Sequence, residues 1–274
     1  MVFRYTTRKV GLALLAVSLG LPATATDRDI SVPAGFVSPQ PLELDLPAPR
    51  PQMSPYIALL QYQVHAERQA AELGATEDTT TITAELPDAA KHGRYRLKRI
   101  YSAPKTLAFK VIDFAGDGFV KSNVMNRLLQ SEADQVKKDQ PALTAITPAN
   151  YKFSYKSTET INGRLAHVYQ VKPREKRAGL FKGKIYIDVY SGSMLRAEGR
   201  LVKSPSVFIK RVEFTQDYAQ VGDFNLVSHI HSVTDARIIG RAIVDINHDD
   251  YHVRTVNQLQ AGLGSDPAKL AGGF

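Results

Sequence analysis

The sequence predicts an α+β fold that is mostly β: a large curved antiparallel sheet, a half-barrel, with a few helices covering its concave face. Three observations lead there. Seven strand-like runs follow one another over residues 151–248 with short connections and no helical pattern between them, which implies an antiparallel meander. Apolar and polar residues alternate within these runs, so one face of the sheet is apolar and has to be covered. Only the stretches 56–73 and 118–136 carry a helical period, which is little cover for so large a sheet.

Taken in order, residues 1–25 read as an export signal. Arg4, Arg8 and Lys9 precede an apolar run over 10–21, then Pro22 and the small-residue stretch Ala23, Thr24, Ala25, with cleavage expected near Ala25. An apolar run of about a dozen residues falls short of the roughly 20 that a membrane-spanning helix needs. The chain has no Cys, which excludes a thioether-linked lipid at the mature N-terminus, disulfides, thiolate metal ligands and a Cys nucleophile. A periplasmic location is the expectation. The formal charge of +8 falls to about +5 without the signal, whose three cations meet no anion. That moderate excess suits an anionic lipid surface, and nucleic acid is not an expected partner.

Residues 26–55 form a Pro-rich leader, since 31–55 hold seven of the fifteen prolines and favour extended backbone. The domain proper is expected over 56–256, followed by a polar tail over 257–274. Its first helix shows apolar positions at Ile57, Leu60, Val64 and Ala71, with Gly74 as a stop. Strands are expected at 79–86, 94–101 and 106–114, then the second helix with Val120, Val124 and Leu128 on one face. The meander runs are 151–157, 165–171, 183–190, 194–203, 207–217, 225–235 and 238–248. Ile185, Ile187 and Val189 share one side of their run, and Phe208, Val212 and Phe214 one side of theirs. These six are the candidates for lining an apolar cavity.

The run from Gly183 to Tyr190, the segment LRAEG ending at Gly199, the segment from Ser204 to Phe214, and the stretch reaching Gly240 and Asp245 form a strand–turn–strand pattern. Together with the order of signal, helix, strands, helix and meander, it resembles the LolA/LolB-like outer-membrane lipoprotein carrier and sorting family. The resemblance covers roughly 56–256 and is strongest after Tyr151. It implies a half-barrel whose mouth is lined by helices and which holds the acyl chains of a lipoprotein or another envelope lipid, without cofactor or catalysis. It also implies an Arg that helps hold the cavity closed, for which Arg94 and Arg96 are candidates. The Pro-rich leader departs from the family's type member.

Lys172, Arg174, Lys176, Arg177, Lys182 and Lys184 surround Leu180 and Phe181, a pattern expected of a basic hairpin with an apolar tip that docks transiently on an anionic membrane surface or an envelope protein. His229 and His231, at i and i+2, with His248 and His252 beyond, would hold a metal only if the two segments were adjacent, and no metal site is expected. Neither G-x-S-x-G, a P-loop, G-x-G-x-x-G nor H-E-x-x-H occurs, so no enzyme is expected and no catalytic residue is assigned. Two other readings stand beside the carrier: a non-enzymatic envelope interaction or scaffold module, and an exported metal-dependent hydrolase.

Overall fold

The computed structural model describes residues 51–138 and 141–264. The expected signal, most of the Pro-rich leader and the end of the C-terminal tail lie outside the described residues. Helix α1 (Pro55–Glu72) begins at Ser54, whose Oγ accepts from the Ile57 amide at 3.4 Å, with Pro55 in the first helical position. It passes directly into β1 (Leu73–Leu86), so Gly74 does not stop the helix. Glycine is needed there because a Cβ would lie 2.7 Å from the Thr255 carbonyl carbon. β2 (Lys91–Ser102) and β3 (Thr106–Gly116) follow.

Asp117 caps the second helical stretch by accepting from Phe119 N at 2.7 Å. The stretch runs as α2 (Gly118–Val120), a π-helical turn (Lys121–Met125) and α3 (Asn126–Lys138). The meander then comprises β4 (Tyr151–Ile161), β5 (Arg164–Pro173), β6 (Phe181–Asp188), β7 (Met194–Leu201), β8 (Ile209–Val221), β9 (Phe224–Ala236) and β10 (Gly240–Thr255). A further helix, α4 (Val256–Gly264), occupies residues read from the sequence as polar tail. Its start is a capping box: Thr255 Oγ1 accepts from Gln258 N, and Gln258 Oε1 accepts from Thr255 N.

The ten strands of the described residues form one antiparallel sheet in the order β3-β2-β1-β10-β9-β8-β7-β6-β5-β4. The first three strands join the meander through β1 and β10, which pair from Leu73 opposite Thr255 to Glu85 opposite Ile243. β3 and β4 are left as free edges, so the sheet is an open half-barrel rather than a closed one. Two apolar clusters share one face. Under α1, the residues Ala58, Tyr62 and Ala66 meet Tyr169, Val171, Phe181, Ile185, Ile187, Met194 and Phe214. Under α2 and α3, Val120, Met125 and Leu128 meet Ile82, Leu97, Ile230, Val244 and Ile246.

Candidate functional site

The candidate site is the helix-bearing face, and α1 crosses it obliquely. At its start the Met53 amide donates to Val189 O at 2.8 Å, His167 Nε2 donates to Met53 O at 2.8 Å, and Tyr169 Oη donates to Pro55 O, all reaching β5 or the turn after β6. Near its end Gln69 Oε1 accepts from Asn225 N of β9 at 3.0 Å. The helix is inverted relative to the expected pattern. Its buried residues are Ala58, Tyr62, Ala66 and Gln69, while Ile57, Leu60 and Val64 are each close to half exposed and Tyr56 is 73% exposed. The expected apolar stripe therefore faces away from the sheet; directly beneath the helix the large side chains of β6 and β8 meet Ala58, Ala66 and the Tyr62 ring, with Leu59 packed partly buried at the side.

Of the cavity candidates, Ile185, Ile187 and Phe214 belong to the cluster under α1, and Val212 and Val189 are also buried. The cavity expected at this face is thus filled by α1 in this structure. Phe208 is corrected: it lies outside β8 and is 39% exposed, because a bulge between Ile209 and Arg211 turns Ile209 inward in its place. Leu180 and Phe181 are corrected as well. They are no exposed tip; both are buried, and the Phe181 ring packs 5.6 Å from Tyr151 and 5.1 Å from Phe214 between centroids.

The docking cations divide. Lys172, Arg174, Lys176 and Lys182 are exposed, Lys184 is half-buried, Arg174 donates to Pro148 O at 2.7 Å, and Arg177 pairs with Glu175 at 3.2 Å. Lys182 and Lys184 line a groove of about 570 Å³ on the face away from the helices, with Gln170, Glu198, Arg200 and Arg211. Cross-strand register places Lys182 opposite Arg200 and Lys152 opposite Lys172.

Arg94 and Arg96 do not reach the helices. They alternate with Tyr95, which faces them, and Arg96 pairs instead with Asp113 at 3.3 Å. The arginine of β2 that does reach them is Arg99, which sequence reasoning missed: it bridges Glu132 of α3 at 2.8 Å and Asp78 of β1 at 3.6 Å. His248 joins it, with Nδ1 2.9 Å from Asp78 Oδ2. Burial alone would raise the Asp78 carboxyl, but the hydrogen bond and charge of His248, with Arg99 and Thr80, hold it below its ordinary value.

His248 thus faces the helices, whereas His229 and His231 lie on the other face. There His229 Nε2 and His231 Nδ1 approach Asp245 Oδ1 at 3.2 and 2.8 Å, and Asp217 is held by Arg196 at 2.6 Å. The two histidine segments lie on paired strands, His229 opposite Asn247, but the His248 ring faces the other side of the sheet from His229 and His231. Among the described residues, no group of three or more His, Cys, Asp or Glu is placed to hold a metal ion. No helix among them is long and apolar enough to cross a membrane.

Among the described residues, an open antiparallel sheet carries its helices on a single face, with a concealed apolar surface beneath them. No protein-family model and no curated protein matches the chain. Among solved structures the chain is similar to an outer membrane lipoprotein-sorting protein domain from Vibrio parahaemolyticus, at 13% identity and TM-score 0.37, covering 69% of this chain and 91% of that one. It is also similar to a LolA superfamily protein from Nitrosomonas europaea, at 10% identity and TM-score 0.33, covering 73% and 93%. The lipoprotein LppX from Mycobacterium tuberculosis matches at 10% identity and TM-score 0.24, covering 72% and 96%.

Proposed function

We propose that the chain is a periplasmic carrier that shelters the acyl chains of a lipoprotein or another envelope lipid on the face beneath α1 and delivers them toward the outer membrane. The observation that carries this reading is the inverted helix. α1 covers a surface of Ile185, Ile187, Phe181 and Phe214 with alanines, a tyrosine, a glutamine and the partly buried Leu59, and keeps Ile57, Leu60 and Val64 largely outside. A cover of this kind gains little from closing, whereas each acyl methylene taking its place gains about 0.8 kcal/mol. The export signal read over 1–25 supports the compartment.

The absence of native Cys allows a clean test. A Cβ at Gly192 would lie 2.7 Å from Gln61 Cβ on α1, about 1 Å inside the usual disulfide span, so Gln61→Cys with Gly192→Cys forms a disulfide once the turn at Gly192 yields by that much. The reduced, delipidated protein is expected to take up phospholipid or fatty acid, seen by native mass spectrometry, and the oxidised protein to lose that uptake. Equal uptake in both states would remove α1 from the mechanism, and none in either would end the carrier reading. A second reading, an envelope interaction module, is favoured by the cation-lined groove on the opposite face. Binding of an acidic partner there would be untouched by locking α1.

A further inference from the structure

The helix-bearing face is not apolar throughout. The two clusters meet along the boundary of β8 and β9, where Phe214 belongs to one and Ile230 to the other. Along that boundary lie buried polar atoms that make no hydrogen bond: Gln216 Nε2 of β8, Ser232 Oγ and Thr234 Oγ1 of β9, and, from α1 above, Tyr62 Oη and Gln69 Nε2. Register puts Ser232 opposite Phe214, Thr234 opposite Val212 and Gln216 opposite Ile230, so these groups follow the strands as a seam. The parent residues are each 5% exposed or less.

Unsatisfied buried polar groups are rare, and each costs about 1–3 kcal/mol, so a seam of them marks an absent partner. All five groups can donate, and although the Ser232 and Thr234 hydroxyls can also accept, the balance is toward donors. The two amide nitrogens only donate, and Gln69 has already committed its oxygen to Asn225. Burial holds the Tyr62 phenol well above its ordinary value, which keeps it a proton donor. The missing partner must therefore accept. No Lys or Arg is among the seam residues, and a buried anion without a cation is strongly disfavoured, so the acceptor is neutral.

We propose that this seam binds the carbonyl oxygens of ester- or amide-linked acyl lipids, with the acyl chains passing into the apolar clusters on either side. The proposal rests on the carrier reading and adds to it the chemical class that the interior selects: lipids whose chains are joined through carbonyls, in preference to bare hydrocarbon chains.

The test compares two diacyl glycerophospholipids of the same headgroup and chain length, one ester-linked and one ether-linked, offered together to the delipidated protein and counted by native mass spectrometry. The ester form is expected to be taken up about tenfold in preference, the scale of one net hydrogen bond. Gln216→Leu combined with Ser232→Ala is expected to abolish the preference while total uptake persists. Equal uptake of both lipids by the unmodified protein overturns the proposal whether or not the variant folds, as does a preference that survives the double substitution. Uptake of neither lipid instead sinks the carrier reading beneath it. Gln216→Met supplies an independent readout: it removes an unpaired amide at similar volume, and its thermal midpoint is expected to rise. A fall would show the amide paired within the protein and would also overturn the proposal.

Discussion

Arg99 shows how much one side chain can hold. It lies between Asp78 and Glu132, ties α3 to the first strands of the sheet, and is nearly buried at 12% side-chain exposure. Removing it as Arg99→Met takes the cation from half-buried Glu132 and leaves buried Asp78 to His248 and Thr80, and denaturant titration is expected to show a loss of about 3–5 kcal/mol. Arg96→Met, which breaks a pair with both side chains well exposed, is expected to change stability by about 0.5 kcal/mol or less. The pH dependence follows from Asp78. Its folded-state pKa lies below the unfolded value, so its contribution is present above the unfolded carboxylate range, near 4, and is lost as pH falls through the folded value. Acid unfolding monitored from pH 5 downward should therefore be less steep in Asp78→Asn, after allowing for its lower starting stability. That Arg99, among six cations between Lys91 and Lys105, has this role was not readable in the sequence. Position in the strand put it on the right face, but only the packing of α3 supplied its partner.

At the scale of the element, α1 sets period against face. The spacing of Ile57, Leu60 and Val64 correctly indicates a helix, because the period is a local property. It points to the wrong side, because the sheet below had already filled the available volume with its own large side chains. Leu60→Ser is accordingly expected to leave the thermal midpoint nearly unchanged, within about 0.5 kcal/mol in ΔG. Ala66→Leu, which a conventional amphipathic reading would tolerate, is expected to cost about 1–3 kcal/mol by overpacking against the sheet. The strands were legible for the same local reason. All ten expected runs exist; their bounds shift by up to seven residues, β1 beginning at Leu73 and β10 ending at Thr255 because the two strands pair along their whole length.

Across the whole molecule, the sheet separates two surfaces of different character. The helices conceal the apolar one, while the other carries Lys152 opposite Lys172 and Lys182 opposite Arg200. Like charges directly opposite one another weaken a sheet, and an anionic surface would relieve them. If these strands rest on a membrane, binding to vesicles containing anionic lipid should fall steeply between about 0.05 and 0.5 M salt, as the screening length shortens. Lys172→Glu with Lys182→Glu should abolish co-sedimentation with such vesicles while leaving lipid uptake intact. Unchanged binding would move the docking surface elsewhere. The basic segment was visible in the sequence, yet its imagined apolar tip was not one: Leu180 and Phe181 lead into β6 and the core, and the cations form a flat row across strands.

The sequence by itself determined the order of the strands, the two main helices and the absence of thiol chemistry, since each depends on residues near one another in the chain. Only the tertiary structure decided which side of α1 meets the sheet, that Arg99 and not Arg94 or Arg96 reaches the helices, that His248 faces away from His229 and His231, and that an unpaired polar seam divides the interior. These depend on register between strands as far apart in sequence as β1 and β10 and on how much volume their side chains leave, quantities that no local pattern carries.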